Sequence, residues 1–268
     1  MNLSFVVIEY NCLESIHACV TNIMNACADI AVEVVVSSNS AYSLEKRRYL
    51  EKSQPNVKWV FNGTNKGFAG GMNAGILRTT GEIITLMNPD VTIANGDLRR
   101  ALDYLISNQS VGLMGPRIVD KQNNVQDSCR RFMSPRELLS RLCARAFQNR
   151  RVLLDHERDY FTVQSVDWVI GAFMMVRRDA LARVGLLDRG YFLYVEDMDW
   201  CKRFWDNGFE VVYYPRLEVV YAGDRKSTSA LISKTLPNRY CYYHLKSYLR
   251  FLRKNSFHVS RRSHSTVS

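Results

Sequence analysis

The sequence predicts an α/β fold built on a mainly parallel sheet with helices on both faces. Through the first hundred residues, short runs rich in β-branched residues alternate with longer stretches of helical periodicity, which is the pattern of βαβ units. Runs such as Phe5–Ile8 and Val34–Val36 are apolar at every position, as strands covered on both faces of a sheet are. Together these observations favour a layered domain in which the chain crosses back over a central sheet.

The first half supplies four predicted strands, at Leu3–Ile8, Val32–Ser37, Val57–Phe61 and Glu82–Met87. Helices are expected between and after them, at about Glu14–Ala26, Leu44–Lys52, Phe68–Arg78 and Gly96–Ser107. The less regular second half predicts further strands at Val111–Val119, Val166–Val176 and Glu210–Tyr214, the last ended by Pro215 because proline cannot continue a central strand. Helical stretches are expected at about Pro135–Arg151 and Asp179–Val184, followed by an acidic segment, Tyr194–Asp206.

Composition places the chain among ordinary globular proteins, with 268 residues, 47% of them apolar and 23% charged. No apolar stretch approaches the roughly 18–20 residues that span a bilayer, and no basic region precedes the first apolar run, so we expect neither a membrane span nor a signal peptide. The seven cysteines show no CxxC pairing, which argues against a disulfide framework and a cysteine-type zinc site. A reducing cytosol is the expected compartment.

The net positive charge of the chain arises entirely from its C-terminal tail. The chain has 36 Lys and Arg against 26 acidic residues, and residues 225–268 hold ten of the basic residues and no acidic one. From Arg239 onward, apolar residues recur at helical spacing among the cations, at Tyr242, Leu245, Leu249 and Leu252. A basic amphipathic helix is typical of a membrane surface, and a capping helix with a solvated basic face fits equally well. Nucleic acid is the least favoured partner, since the sequence shows no known binding module.

Three segments could carry chemistry. Asn88-Pro89-Asp90 ends a buried strand, either as an ordinary turn or as a carboxylate set where open α/β sheets bind their ligands. Gly67, Gly70 and Gly71 precede a helix, where they could admit an anion or simply form a tight turn. Gly171, within a strand-like run after Asp167-Trp168, could mark close approach by a ligand or a bulge in a core strand.

A fourth candidate is the acidic segment, which places Glu196, Asp197 and Asp199 within four residues. If the segment is helical, Glu196 and Asp199 share a face with Arg203 one turn beyond, whereas Asp197 faces elsewhere. Acids at the start of a helix also simply favour its dipole. Aromatic residues surround these carboxylates, however, and an apolar setting raises a carboxyl pKa toward the range of a general base. We therefore favour a functional role.

In this order and spacing the segments resemble glycosyltransferase family 2, and within it the bacterial rhamnosyltransferases of polysaccharide assembly, over roughly residues 3–228. The matching pieces include Tyr10-Asn11, Ser38-Asn39-Ser40, residues 65–73, Asn88-Pro89-Asp90-Val91 and the stretch from Phe192 to Asp199. The resemblance implies the GT-A fold, with a Rossmann-like, mainly parallel central sheet, over residues 1–228. A helical, basic C-terminal segment would follow over 229–268.

The resemblance also implies residue roles. Asp90 would ligate a Mg²⁺ or Mn²⁺ ion at the donor's diphosphate, Asn88 standing where the family's signature has its first acid. Asp197 would be the general base, with Glu196 beside it as a second catalytic carboxyl. Donor binding would fall to Tyr10, Asn11, Ser37, Asn39, Asn65, Gly67, Gly70, Gly71, Asn73, Asn88 and Asp90. Acceptor binding would fall to Trp168, Gly171, Asp199 and Arg203.

Two positions depart from the family's pattern, Ser37 where relatives usually have Asp, and Tyr221 where they usually have His. Tyr221 or Asp224-Arg225-Lys226 could contact the diphosphate instead. These departures leave open a catalytically impaired GT-A domain that binds a saccharide or scaffolds an assembly complex.

The favoured function is inverting transfer of rhamnose or a related hexose from a dTDP or UDP donor. The acceptor would be a cell-envelope saccharide such as O-antigen, carried on a polyprenyl diphosphate. The expected location is the cytoplasm, with peripheral attachment to the inner face of the bacterial inner membrane through the basic tail.

Overall fold

The computed structural model describes residues 2–94, 98–132, 159–221 and 239–255. Its strands are β1 Leu3–Glu9, β2 Val32–Ser38, β3 Val57–Phe61, β4 Ile83–Met87, β5 Val91–Ile93, β6 Val111–Val119, β7 Cys129–Arg130, β8 Gln164–Ser165, β9 Trp168–Val169, β10 Phe173–Arg177 and β11 Glu210–Tyr221. Its helices are α1 Leu13–Ala26, α2 Leu44–Ser53, α3 Gly67–Ile76, α4 Leu98–Ser107, α5 Arg178–Val184, α6 Glu196–Asp206 and α7 Arg239–Lys254.

Nine of the described strands form a mixed, mainly parallel sheet in the order β3-β2-β1-β4-β10-β6-β11-β5, with β8 at the side of β11. Strands β7 and β9 pair in a separate antiparallel sheet of two strands. Strands β3, β2, β1 and β4 are all parallel, which confirms the βαβ units predicted for the first half. Strand β10 runs antiparallel between β4 and β6. Because parallel strands end at the same edge, the chain after β1, β2 and β4 emerges on one side of the sheet.

Both faces of the sheet are covered, as its apolar strands predict. Side chains alternate across a strand, so Phe5 and Val7 pack on the side of α1 with Ile16. Val6, between them, packs on the other side with Met72 of α3. No helix in the described ranges is both long and apolar enough to cross a membrane.

The tail helix α7 shares this core. Its residues Tyr248, Phe251 and Leu252 are buried in the same apolar cluster as Trp200 and Phe204 of α6. The predicted division at residue 228 lies outside the described residues. The part of the tail that is described packs against the sheet domain rather than apart from it.

Two predicted strands differ from the structure. The run Val166–Val176 is split into β9 and β10 by residues 170–172, whose backbone groups bond to other segments instead of a neighbouring strand. Strand β11 continues beyond Pro215, because the ladder with β6 shifts register between Tyr214 and Glu218. At such a bulge a proline removes no ladder hydrogen bond. The helix predicted at 135–151 lies outside the described residues.

Candidate active site

A cleft of about 720 Å³ opens at the ends of β1 and β4, between these strands and helices α6 and α7. Ten of the site residues predicted from the sequence line it, namely Tyr10, Asn39, Asn65, Gly67, Asn88, Asp90, Trp168, Gly171, Glu196 and Asp197. The strand ends thus gather most of the predicted donor-binding and catalytic side chains in one cavity, which is where ligands bind in open α/β sheets.

Asn88-Pro89-Asp90 is a turn whose side chains face this cleft. The Val91 N–H donates to the Asn88 carbonyl at 3.2 Å, and the Asn88 N–H donates to the carbonyl of Ala172 at 2.9 Å. Oδ1 of Asn88 is buried and has no hydrogen-bond partner among the described residues. The segment therefore turns the chain, and its Asn88 and Asp90 line a cavity in which the predicted carboxylate site stays a prediction.

These oxygen atoms fit a hard divalent cation, which prefers carboxylate and carbonyl ligands. The described residues contain no cluster of three or more His, Cys, Asp or Glu side chains that could hold a metal alone. An ion at Asn88 and Asp90 would therefore take most of its ligands from water or from phosphate oxygens. That is the arrangement typical of magnesium at a nucleotide.

Asp197 lies in the first turn of α6 with its carboxylate held in place by two backbone groups. The Gly171 N–H donates to Oδ2 at 2.9 Å and the Met198 N–H donates to Oδ1 at 2.8 Å. Burial raises the pKa of Asp197 above its ordinary 3.8, and these two N–H groups and the Arg130 charge offset part of that rise. A fixed carboxylate with a raised pKa suits a general base.

Glu196, the neighbouring carboxyl, is only 5% exposed. Its Oε2 has no hydrogen-bond partner in the described part of the chain. Burial, followed by the charge of Asp197, raises the pKa of Glu196 well above its ordinary 4.5. The pKa of Glu196 is thus the more strongly raised of the two, so Glu196 holds its proton more readily than Asp197 does.

The entry into α6 is strained. The backbone of Tyr194 and Val195 is in the left-handed conformation, with φ of 69° and 71°. A positive φ is rare for a β-branched residue such as Val195. The loop is held by α7, because the ring of Phe192 packs on Tyr243 at 5.1 Å and that of Tyr194 on His244 at 5.5 Å. Strain of this kind is kept where the surrounding structure enforces it, and here it lies directly before the helix end that carries the candidate base, Asp197.

The wall formed by α7 was not predicted from the sequence. Its cleft-lining residues are Arg239, Tyr240, Tyr243, His244 and Tyr248. The signal was present as aromatic residues spaced three to five apart on the helix face away from Tyr242. The prediction followed the apolar stripe on the other face and so overlooked them.

Arg130 also lines the cleft, although the sequence predicts no role for it. Its guanidinium lies 5.2 Å from the ring centroid of Trp168 and its Nε bonds Asp127 at 2.9 Å. Trp168 is in turn fixed through Nε1, which donates to the Arg131 carbonyl at 3.2 Å. A cation on an aromatic face beside the predicted base is suited to binding a polar or anionic group.

Gly67, Gly70 and Gly71 pack closely against neighbouring segments of the protein. Gly67 has φ of +71°, and a Cβ there would lie 2.1 Å from the carbonyl oxygen of Phe192. Gly70 and Gly71 do not line the cleft, and a Cβ at either would meet Lys66 or Ile8 within 2.8 Å. The absence of a side chain at Gly70 and Gly71 lets α3 pack tightly. This packing gives no support to the donor-binding role predicted for these two residues.

Three further predicted donor-binding residues make structural contacts. The Asn73 amide exchanges two hydrogen bonds with the backbone of Leu187, at 2.8 and 3.1 Å. The buried Ser37 hydroxyl donates to the Gly71 carbonyl at 2.7 Å. Asn11 lies in a neighbouring hollow, where its N–H donates to Ser40 Oγ at 2.8 Å. These contacts hold the strand ends and α3 in place around the cleft.

The predicted acceptor-binding pair Asp199 and Arg203 forms the i,i+4 ion pair expected of a helix, at 3.0 Å. Asp199 is only 1% exposed and also accepts from Tyr191 and Lys254, while Arg203 donates to two backbone carbonyls. Neither residue lines the cleft as described. The pair holds α6 to its neighbours, and these contacts do not support the predicted acceptor contact.

Tyr221, which stands where a family histidine is expected, does line the cleft. Asp224-Arg225-Lys226, the other candidate for a diphosphate contact, lies outside the described residues.

The model of a family described as Glycosyl transferase family 2 matches residues 4–185. Among curated proteins, the N-acetylglucosaminyl-diphospho-decaprenol L-rhamnosyltransferase of Mycobacterium tuberculosis (strain CDC 1551 / Oshkosh) is 29% identical over 182 residues, or 62% of this chain and 59% of that protein. The dTDP-rhamnosyl transferase RfbF of Shigella flexneri is 25% identical over 262 residues, or 95% of this chain and 81% of that protein. The alignment thus spans less than two thirds of the mycobacterial relative.

The fold is shared with solved glycosyltransferase structures. The crystal structure of GalNAc-T7 with UDP, GalNAc and Mn²⁺ superposes with a TM-score of 0.64 at 13% sequence identity, covering 94% of this chain and 48% of that one. At this identity the likeness concerns the fold, which confirms the GT-A architecture predicted for the chain.

Proposed function

Because the chain belongs to glycosyltransferase family 2, we propose that it is an inverting glycosyltransferase. It moves rhamnose or a related hexose from a dTDP or UDP donor to a hydroxyl group of a cell-envelope saccharide. The observation that carries the proposal is the position of Asp197, which lies in the cleft with its carboxylate fixed by the Gly171 N–H. The turn at Asn88 and Asp90 lines the same cleft.

In this proposal Asp197 is the general base. It takes the proton of the acceptor hydroxyl while that oxygen attacks the anomeric carbon, and the bond from this carbon to the diphosphate breaks on the far side. The nucleoside diphosphate leaves with the bonding electron pair, so configuration at the anomeric carbon is inverted. The raised pKa of Glu196 disfavours a second negative charge beside Asp197, which leaves Asp197 as the carboxylate that receives the proton.

Asn88 and Asp90 are the residues that would hold Mg²⁺ or Mn²⁺. When bound there, such an ion supplies positive charge to the diphosphate as negative charge develops on it. The supporting observation is the unpartnered, buried Oδ1 of Asn88 next to the carboxylate turn.

The donor would lie along the strand ends, beside Tyr10, Asn39, Asn65 and Gly67. The acceptor would enter on the side of Trp168 and Gly171, where Arg130 adds a positive charge. The name of the mycobacterial relative describes an acceptor carried on diphospho-decaprenol. For this chain we propose an acceptor of that class, a saccharide linked to a polyprenyl diphosphate, used at the cytoplasmic face of the membrane.

The test is a donor screen with Asp197→Asn as the diagnostic variant. The protein is incubated with Mn²⁺ and dTDP- or UDP-linked hexoses, and release of the nucleoside diphosphate is measured with and without saccharide acceptors. We expect one donor to be turned over and Asp197→Asn to lose about 10²–10⁴-fold in kcat. Donor affinity by calorimetry should be retained. Equal rates in both proteins would overturn the assignment of the base.

A second candidate is a catalytically impaired domain that binds a saccharide or scaffolds a complex. The buried hydroxyl of Ser37 favours it, because this side chain is engaged within the protein where relatives usually offer an acid to the nucleotide base. Calorimetry with UDP and dTDP in the presence of Mn²⁺ separates the two. Measurable nucleotide binding supports the enzyme, and its absence with intact saccharide binding supports the second candidate.

A further inference from the structure

We propose that the outward face of α7 binds the surface of an anionic lipid bilayer and holds the mouth of the cleft against it. The inference deepens the proposed function, because it rests on an acceptor carried by a membrane lipid. It concerns a surface, however, and can be tested without any reaction.

The inner face of α7 is fixed to the protein. Tyr248, Phe251 and Leu252 are each less than 5% exposed. Asp188 accepts from Arg250 at 3.2 Å and from Lys254 at 3.1 Å, and Lys254 also reaches the buried Asp199. The helix is therefore anchored along its C-terminal half, and its other face has a defined direction.

That other face is apolar and exposed. Tyr242, Leu245 and Leu249 follow one another at intervals of three and four residues, so they form one stripe along the helix. Their exposed fractions are 59%, 55% and 55%. Single exposed leucines are common on proteins, but an aligned group on one helix marks an interaction surface. Leu252, predicted as a fourth member of this stripe, is buried in the core instead.

Cations border the apolar stripe. Arg239, Lys246 and Arg253 are seven residues apart, which places them on one line of the helix, and residues 239–254 contain no acidic residue. Arg250 and Lys254, in contrast, are engaged with Asp188. On this helix, apolar side chains thus lie beside a row of cations with no acidic residue among them. A bilayer with anionic headgroups matches that pattern, because the apolar side chains enter below the headgroups and the headgroups attract the cations.

The charge pattern also argues against a second copy of this chain as the partner. In a two-fold symmetric contact each helix would meet the same face of its partner, so Lys246 and Arg253 would approach other cations. Like charges brought together at an interface oppose association. Contact between α7 and an anionic surface brings no like charges together.

The same helix lines the cleft. Tyr240, Tyr243 and His244 face the cavity while Tyr242 and Leu245 face outward. A bilayer bound to the outer face would therefore lie beside the acceptor side of the cleft. A saccharide that projects a short distance from a lipid diphosphate would then reach Asp197 without leaving the membrane.

Co-sedimentation of the full chain with lipid vesicles tests the proposal. The wild type is compared with Leu245→Ser/Leu249→Ser and with a matched control, Leu44→Ser/Leu77→Ser. The control removes two leucines at the ends of other helices, Leu44 at the start of α2 and Leu77 just after α3, that are each 70% exposed. Vesicles contain phosphatidylcholine alone or with 30 mol% phosphatidylglycerol, where the mole fraction is an experimental setting chosen to be of the order found in anionic bacterial membranes.

We expect binding of the wild type and the control to anionic vesicles, at least about tenfold weaker binding of the α7 variant, and weaker binding of all three in high salt. Equal binding of the α7 variant and the wild type, equal binding to neutral vesicles, or concentration-dependent dimerisation that the α7 variant abolishes would overturn the proposal.

Circular dichroism and Tm establish that each variant is folded. Release of nucleotide from a soluble donor, measured without lipid, should be the same in wild type and variant, so failure of the membrane surface is distinguishable from failure of the proposed function.

Discussion

The N–H of Gly171 donates to Asp197, and the carbonyl of the next residue, Ala172, accepts from the N–H of Asn88. The three-residue segment that interrupts the predicted strand thus contacts both the candidate base and the candidate metal turn. Two parts of the chain more than a hundred residues apart are held in one arrangement by adjacent peptide groups.

The first prediction concerns pH. If Asp197 is the general base that we propose, activity requires its ionised form, so kcat/KM should rise with pH through a pKa that burial holds above 3.8. Arg130 lowers that pKa, and Arg130→Met should therefore move the acid limb of the profile to higher pH, by about one unit. The neighbouring Arg131→Met serves as the control, because only the backbone of Arg131 contacts Trp168 in the hydrogen bond described. An unchanged acid limb in Arg130→Met would contradict this electrostatic role.

The second prediction compares two glycines of nearly equal conformation. Gly63 and Gly67 have φ of +73° and +71°, but a Cβ at Gly63 meets nothing within 4 Å. Gly63→Ala should cost about 1–2 kcal/mol in the free energy of unfolding, the cost of the left-handed backbone. Gly67→Ala should cost about 3–5 kcal/mol, since its Cβ also collides with the Phe192 carbonyl. Urea titrations measure both, and equal losses would show that the loop moves away freely.

The third prediction concerns the metal. Replacing Asp90 with Asn removes the carboxylate of the turn and should weaken Mn²⁺-dependent nucleotide binding by about tenfold or more. Asn88→Asp adds a carboxylate at the unpartnered oxygen and should lower the Mn²⁺ concentration needed for half-maximal binding. Calorimetry with UDP or dTDP over a range of Mn²⁺ concentrations reports both variants. The assignment fails if the two substitutions act in the same direction or leave the metal dependence unchanged.

The fourth prediction concerns the anchor of α7. Burial alone would raise the pKa of Asp188, but the Gly190 N–H, Lys254 and Arg250 outweigh it and hold that pKa at about 2, below the ordinary 3.8. A depressed carboxyl pKa stabilises the fold above the unfolded-state value, and the contribution disappears as pH falls through the folded-state value. Asp188→Asn should therefore lower stability at pH 7 by about 1 kcal/mol, or about 2–4 °C in Tm.

For Asp188→Asn the informative comparison is between pH values. The Tm difference from wild type should be full above about pH 4 and should shrink toward pH 2, where wild-type Asp188 is itself becoming protonated. A difference that stays constant over this range would mean that lost packing, rather than the ion pairs, causes the destabilisation.

Local patterns predicted the first half of the fold well, because βαβ units are encoded in short apolar runs and in helical periodicity. Strands β3 and β6 begin and end at the predicted residues, and the other early strands differ by one residue at an end. The prediction was wrong where long-range bonding decides. Nothing local to Ile170 or Ala172 shows that their backbone groups bond Ser128 and Asn88, and nothing before Pro215 shows a bulge.

The candidate site shows the same division. Residues at strand ends, such as Asn88 and Asp90, were predicted to lie in the cleft because topology alone takes them there. Asn73 and Asp199 carry the same chemical groups as cleft residues, yet their partners, Leu187 and Lys254, are distant in sequence. A polar residue that binds a ligand cannot be distinguished from one that joins two segments of the protein until the positions of those segments are known.

The ion pairs that join α7 to α6 and to the loop before it limit how this protein can be recombined with its relatives. Arg250 and Lys254 of α7 meet Asp188 ahead of α6, and Lys254 meets Asp199 within it. A chimera that exchanged residues 188–206 without α7 would pair foreign side chains with Arg250 and Lys254. One that exchanged α7 alone would leave Asp199 buried without one of its cations. Residues 188–206 and 239–254 therefore form a single unit of exchange, and hybrids that keep them together should fold more often than those that separate them.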